Sequence, residues 1–513
     1  MTPTPNAETS RVSESPVAML LFTPDRVFKI LKPVTTKDFD HRACADRRES
    51  LEIELGLGQR LAPETHLGLT PIPEGDDVSD WMLVMRRLDD ADRLTSIIRR
   101  RELTDIHLRQ IAKLMATFHA AQTPVYGNAA GGSVGAHQDS WREILDRLDG
   151  FTGSVLDAAG HATIRRLVDN YLAGRGRLFQ RRAEDGLIRE GHGSLRAHRV
   201  FLVDGTPQIL GTRTGPPSCR TLDVLDDLAS LAIDIHRFAG PIAARSLIRY
   251  YCEFSGEHHA SSLAHHFVAQ HAARRCVEAL NEVAAGRLEF AAVARMYHRL
   301  ILDQLHRGAV RVALVGGGPG SGKSMVAQEL ALHMGWTLLA SDEVRRSIAG
   351  GPVTVRPASV DMGRYDPSVT DATYAELLRE TALLLEMGES VVLDASWTIG
   401  SKRMNARSTA ARVGAEILEF ECVVDNSTAS ERVARRLADQ WNTSDASAPI
   451  VDTMAARRDS WPEAQAVDMR EGTLPAMTAV RAAIERTCAD PEPDRRVVLP
   501  AIRFWDEPVG APT

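Results

Sequence analysis

The sequence predicts two folded units, a mixed α+β unit followed by a doubly wound parallel α/β unit, and three observations predict it. An apolar, β-branched run at 310–315 leads into Gly317-Gly318-Pro319-Gly320-Ser321-Gly322-Lys323-Ser324, followed by an unbroken helical stretch over 325–334. Beyond it, apolar strands at 337–340, 390–394 and 416–424 alternate with helical spacing. Before it, hairpin signatures give way to long helical stretches.

Composition bounds the reading. At 513 residues the chain exceeds one domain, and 44% hydrophobic with 25% charged residues is an ordinary globular balance. A net charge of -7 argues against coating a nucleic acid. Cys44, Cys219, Cys252, Cys276, Cys422 and Cys488 show no C-x-x-C pairing, so reduced thiols are expected rather than a disulfide frame or zinc site. No apolar run reaches membrane-span length, and Met1-Thr2-Pro3-Thr4-Pro5 carries no basic-then-apolar signal. A cytoplasmic protein is expected.

In chain order, residues 1–15 are rich in Thr, Pro and Ser and are expected to be disordered. Strands follow at 17–22 and 27–32 across a Pro-Asp turn, then a charged helix over 38–60 and a strand at 81–88. Helical stretches cover 103–122 and 141–180. Asp204-Gly205 between two apolar runs predicts a tight hairpin, and helices fill 222–305. His258, His259, His265, His266 and His271 lack a metal-binding spacing such as H-E-x-x-H and read as ordinary helix histidines. The predicted division is 16–285, a connecting helix at 286–309, and 310–513. In the last unit a helix over 368–387 ends at Gly388, and Thr428-Ala429-Ser430-Glu431 reads as a capping box.

The glycine-rich stretch is a P-loop. Its glycines turn backbone N–H groups inward around phosphate oxygens, and the helix that follows adds its positive end. The expected ligands are ATP and Mg²⁺, with Gly317, Gly318, Pro319, Gly320, Ser321, Gly322, Lys323, Ser324 and Met325 around the nucleotide. Lys323 would reach the β- and γ-phosphates, and Ser324 with Asp394, at the end of an apolar strand, would hold the metal. A strand-end Asp can equally cap a turn. Asp342, after the second strand, suits a general base that takes a proton from an attacking hydroxyl, although its position also suits a helix N-cap. Arg345 lies one turn on and suits an anionic substrate. Arg432, Arg435 and Arg436 share a helix; with a mobile lid at 441–445, Arg435 or Arg436 would be the residue inserted at the transferring phosphoryl group.

The elements G-x-P-G-S-G-K-S, then S-D-x-x-R, then V-V-L-D-A-S-W with Arg403 downstream, resemble the small-molecule and polynucleotide kinase branch of P-loop proteins, where gluconate kinases and zeta-toxin kinases belong. The resemblance spans about 310–461. It implies that Asp342 is the base and that Arg345 and Arg403 contact substrate or phosphate.

The first half resembles the aminoglycoside-phosphotransferase-like, protein-kinase-like fold through Lys29 in a hairpin strand, Arg47-Arg48, Glu54, Arg60-Leu61-Ala62-Pro63, His192-Gly193, Asp223 and Asp227. The joined pair resembles bacterial bifunctional proteins described as aminoglycoside phosphotransferase/ATP-binding protein, of AAA type. Its catalytic loop departs from H-G-D-L-x-x-x-N: Ser194 stands for the Asp, Arg199 for the Asn, and Gly211 for the second metal-binding Asp. The resemblance therefore implies a pseudokinase half. Two readings follow: a P-loop phosphotransferase acting on a small-molecule hydroxyl, or an ATP-binding regulatory protein whose first half holds a ligand or partner. A polynucleotide kinase ranks last, since aromatic residues are only 5% and a stacking groove needs them.

Overall fold

The computed structural model describes residues 11–36, 39–75, 77–127, 131–349, 366–438, 458–470 and 473–488. Alternating apolar residues build the first sheet. Strands β2 (Ala18–Phe22) and β3 (Arg26–Leu31) pair antiparallel, Leu20 facing Lys29 and Phe22 facing Val27. The expected disordered tail runs too far: β1 (Arg11–Glu14) pairs with β2, and Ser15 holds the turn through its hydroxyl, 3.1 Å from the Ala18 amide. The helix expected from residue 38 starts later, as α1 (Cys44–Leu61), because Thr35 and Asp40 form a β-bridge and the Asp40 carboxylate binds Arg42. Strands β4 (His66–Glu74) and β5 (Asp77–Arg86) complete a sheet of order β1-β2-β3-β5-β4. Leu51 of α1 packs under it with Leu31, Leu83 and Met85.

A helical lobe follows. Helices α2 (Leu94–Arg99) and α3 (Asp105–Ala120) lead into the stretch expected at 141–180, which is three helices: α4 (Val134–Asp149), α5 (Ala158–Gly174) and α6 (Gly176–Glu184). Gly150 and the Gly174–Arg175 step break it. Short strands β6 (Ile188–Glu190) and β9 (Thr221–Asp223) pair, and β7 (Val200–Val203) with β8 (Thr206–Ile209) forms the second hairpin. Asp204 and Gly205 take φ of 49° and 76°, as a two-residue turn between twisted strands requires. Helices α7 (Val224–Ala239), α8 (Pro241–Ser255), α9 (Ser261–Ala284) and α10 (Phe290–Arg307) close the lobe. The last of these, expected as a connector, is part of the lobe: its Tyr297, Ile301 and Leu302 are buried in the core that α5 and α9 build. Antiparallel sheet, α1 whose Glu54 pairs with Lys29 of β3, and helical lobe together form a protein-kinase-like fold.

The second unit is a parallel sheet, ordered β11-β12-β10-β13-β14. Its strands are β10 (Arg311–Gly316), β11 (Thr337–Ala340), β12 (Val391–Asp394), β13 (Glu416–Val423) and β14 (Gln465–Asp468). Helices α11 (Lys323–Met334), α12 (Ser341–Ala349), α13 (Pro367–Glu386), α14 (Gly400–Arg412), α15 (Asn426–Ala438) and α16 (Thr473–Cys488) accompany it. All of β10 is buried, which accounts for its continuous apolar run. The expected capping box at Thr428 is displaced: Asp425 caps α15, accepting from the Thr428 amide at 2.9 Å and from the Ser427 hydroxyl at 2.5 Å. One hydrophobic core runs through both units, from Leu225 and Phe267 to Leu314, Leu377 and Trp397.

Candidate active site

The sheet order places the site. Strand β10 has β12 on one side and β13 on the other, so the chain leaves it at a switch point, and the crevice there opens at the carboxyl ends of the strands. The P-loop fills that position. Gly320 and Gly322 have φ of 78° and 90°, which a side chain rarely adopts. Gly320 is also held by contact, since a Cβ there would sit 2.3 Å from the Ala429 carbonyl oxygen of α15. The Gly317 amide donates to the Ser396 carbonyl at 3.1 Å, tying the P-loop to the chain leaving β12. Helix α11 opens at Lys323, with Ser324 and Met325 exposed in its first turn.

Asp394 ends β12, 8% exposed, hydrogen-bonded to the Ser324 side chain, with an Oδ1 that is buried and accepts no hydrogen bond. Burial pushes its carboxyl above the usual range, and the nearby Lys323 charge and Ser324 hydroxyl partly offset this. A buried carboxylate oxygen without a donor, a serine hydroxyl and a lysine beside a glycine cradle fit Mg²⁺ and nucleotide phosphates, both of which want hard oxygen ligands and positive charge.

Helix α12 starts at Ser341, immediately after β11, so Asp342 lies inside its first turn rather than capping it. Asp342 and Glu343 act electrostatically on Asp394, and Arg345 and Asp342 act on Tyr374. Lys323, Ser324, Asp342, Arg345 and Asp394 are thus brought to one end of the sheet. Tyr374 of α13, read from sequence only as an apolar helix position, belongs here too. Its hydroxyl lies 3.2 Å from Ser396 Oγ and accepts from the Trp397 amide at 3.2 Å. Burial pushes its phenol up.

Arg403 has a different place from the one expected. It is 4% exposed and donates to the Trp397 carbonyl at 2.8 Å and the Ser460 carbonyl at 2.6 Å, its guanidinium over the Trp461 ring. Its role here is to hold the 395–397 turn, where Trp397 has a φ of 52°. On α15, Arg435 is exposed, and the Arg436 side chain and the expected lid at 441–445 lie outside the described residues. Arg432 lies against the P-loop: it donates to the Met469 carbonyl at 3.0 Å, and its Nη1 lies 3.9 Å from where a Gly322 Cβ would stand. No sequence signal separates it from its neighbours, because which face of α15 meets the loop depends on helix docking.

In the kinase-like half, Lys29 Nζ pairs with both Glu54 oxygens at 2.8 and 2.6 Å. The His192 and Gly193 amides donate to Asp227 at 2.7 and 3.0 Å. Arg199 Nη1 donates to the carbonyls of Ser194 at 3.2 Å and Gly211 at 2.5 Å, so its guanidinium lies between the positions of Ser194 and Gly211.

Fold and site define a P-loop nucleotide-binding domain joined to a protein-kinase-like domain. Residues 312–460 match the family described as AAA domain. Over 460 residues the chain is 33% identical to the uncharacterized protein Rv2004c of Mycobacterium tuberculosis (strain H37Rv) and to the uncharacterized protein Mb2027c of Mycobacterium bovis; the match covers 89% of this chain and 92% of each relative, and the chain belongs to their family. Among solved structures it is similar to a gluconokinase from Sinorhizobium meliloti 1021 (19% identity, 35% of this chain and 94% of that one, TM-score 0.25). It is also similar to a choline/ethanolamine kinase family protein from Mesorhizobium loti (12% identity, 57% and 88%, TM-score 0.37). Among the described residues no helix is long and apolar enough to cross a membrane.

Proposed function

We propose that the second unit transfers the γ-phosphoryl group of ATP to a hydroxyl of a small molecule. The observation that carries this is the placement of Asp342 and Arg345 in the helix leaving β11, beside Lys323 and Asp394. A nucleotide switch needs a phosphate cradle and a metal seat; it does not need a carboxylate and a guanidinium on the acceptor side. The P-loop amides and Lys323 hold the β- and γ-phosphates. Ser324 and Asp394 hold Mg²⁺, which supplies charge neutralisation at the phosphates when bound. Asp342 accepts the acceptor's hydroxyl proton as its oxygen bonds to the γ-phosphorus, the bond to the β–γ bridging oxygen breaks, and ADP leaves with that electron pair. Arg345 orients an acceptor that carries negative charge, and Arg432 holds the segment at Met469 against the loop.

The kinase-like half is read as a pseudokinase. Phosphoryl transfer depends on positioned carboxylates and metal-held charge, and Ser194, Arg199 and Gly211 supply neither. The Arg199 contacts with the Ser194 and Gly211 carbonyls support this, because they put a guanidinium where a cation would have to sit. The test of the whole reading is to incubate the protein with labelled ATP and a metabolite pool. A labelled small molecule whose formation falls by about 10²- to 10⁴-fold in Asp342→Asn supports transfer with Asp342 as base. Release of labelled inorganic phosphate alone, at a rate equal in wild type and Asp342→Asn, favours the regulatory ATPase instead.

A further inference from the structure

At the end of α8 the chain makes a sharp reversal. Gly256 takes a φ of 69° and its amide returns to the Cys252 carbonyl at 2.9 Å. Glu257 and His259 are folded back against the last turn of the helix. Three potential ligand atoms meet there: Cys252 Sγ, a Glu257 carboxylate oxygen and a His259 nitrogen, all within 4.8 Å of one another. His259 Nδ1 is the hub, 3.7 Å from Cys252 Sγ and 3.3 Å from Glu257 Oε1.

Those spacings have a definite meaning. With Zn–S about 2.3 Å, Zn–N and Zn–O about 2.0–2.1 Å and tetrahedral angles, the edges of a zinc site are about 3.6 Å between S and N and about 3.4 Å between N and O. The two edges found here differ from these by about 0.1 Å. A thiolate, an imidazole and a carboxylate are also the donor set that suits zinc, whereas magnesium and calcium take oxygen donors.

Glu257 itself points to a missing cation. It is 7% exposed, and its Oε2 is buried without any hydrogen bond. Its Oε1 is 2.7 Å from Arg182 Nη2, but Arg182 is already engaged by Asp223, through Nε to one oxygen and through Nη2 to the other at 2.7 Å. One guanidinium thus faces two buried carboxylates, with the His259 imidazole as a further partner of Glu257 Oε1, and neither of them reaches Glu257 Oε2 with a hydrogen bond. A buried carboxylate in that state is stabilised by a metal.

We propose that Cys252, Glu257 and His259 form a zinc site, with water as the fourth ligand. Binding replaces the Cys252 S–H bond with a Zn–S bond and releases that proton to solvent. The expectation from sequence against a zinc site rested on the lack of C-x-x-C; here the spacing is Cys-x₄-Glu-x-His and the reversal at Gly256 does the converging. The site adjoins the junction of the two units. Ala260 packs on the turn at Gly388, and the Ser262 hydroxyl donates to the Gly388 carbonyl at 2.8 Å. Zinc therefore fixes the α8–α9 reversal on which that contact stands.

The test uses the full chain, stripped with a chelator, and Co²⁺ and Zn²⁺ as the probes. Wild type is expected to take up one Co²⁺ per chain, with a thiolate-to-cobalt charge-transfer band and tetrahedral visible absorption, both removed by Zn²⁺. Cys252→Ser is expected to lose the band, Cys44→Ser to keep it, and His259→Ala to bind at least about tenfold more weakly. Wild type without a thiolate band, or a band that survives in Cys252→Ser, overturns the site. If Cys252→Ser does not fold, His259→Ala decides alone, and unchanged affinity in that variant overturns it equally.

Discussion

Asp394 shows how one residue can serve function against stability. Its carboxyl is pushed up by burial, and its Oδ1 accepts no hydrogen bond. A carboxyl whose folded pKa is raised favours the fold when neutral, at low pH, and that contribution is lost as pH rises through the folded value. Ionising the group therefore costs the nucleotide-free protein stability. Asp394→Asn should raise its melting temperature, by about 1 °C for each 1 kcal/mol relieved in a 513-residue chain that melts as one. The same variant should lose the further rise that Mg²⁺ with ATP gives wild type, where ligand at a hundred times its Kd is worth about 2.7 kcal/mol. Thermal melts with and without Mg–ATP check both, and a variant that melts lower than wild type contradicts that cost. The P-loop residues were legible in sequence because their spacing is itself the geometry. Tyr374 was not, since its hydroxyl meets Ser396 only once α13 is docked on the sheet. Arg403 was misplaced for a related reason: sequence shows that an arginine follows the β12 segment, but not that two carbonyls beneath the turn consume it.

Among elements, the contact of α15 with the P-loop sets the shape of the phosphate cradle. Neighbouring glycines separate this contact from ordinary loop flexibility. At Gly320 a Cβ would meet the Ala429 backbone at 2.3 Å, under a φ of 78°. At Gly318 nothing lies within 4 Å, and φ is not positive. Gly320→Ala should destabilise by about 1–3 kcal/mol through overpacking and weaken ATP binding at least tenfold, and Gly318→Ala should leave affinity near wild type. Isothermal titration of the two variants decides; equal effects would mean that α15 yields without disturbing the loop. At this scale strands and helices with strong period were readable, down to the two-residue turn at Asp204-Gly205. What escaped were elements whose formation depends on partners distant in sequence. Strand β4 carries two prolines, Pro71 and Pro73, and is an edge strand held by β5, while β14 is four residues long and exists as an edge of β13.

Across the whole molecule, the junction is backbone against backbone. A Cβ at Gly174 would stand 1.9 Å from the Val413 carbonyl oxygen, and one at Gly414 2.2 Å from that of Asn170. Arg175, fully buried and with its guanidinium pushed down to about 10 by that burial, donates to Gly174 at 2.9 Å, Val413 at 3.1 Å and Leu385. With a shared core as well, the protein should unfold in one calorimetric transition. Gly414→Ala, at φ 59°, should cost about 2–4 kcal/mol and split that transition in two. Gly335→Ala, at φ 67° with nothing within 4 Å, should cost about 1 kcal/mol and leave it single. Two transitions in wild type would show that the units are independent. The central claim is that one site, at Lys323 and Asp342, performs all phosphoryl transfer. The direct measurement is transfer of labelled γ-phosphate to the acceptor by wild type, Lys323→Ala and Asp342→Asn at equal concentration. Transfer absent in Lys323→Ala, and lowered by about 10²- to 10⁴-fold in Asp342→Asn with ATP affinity unchanged, is the predicted result. Robust transfer by Lys323→Ala would place working catalysis in the kinase-like half and contradict the account.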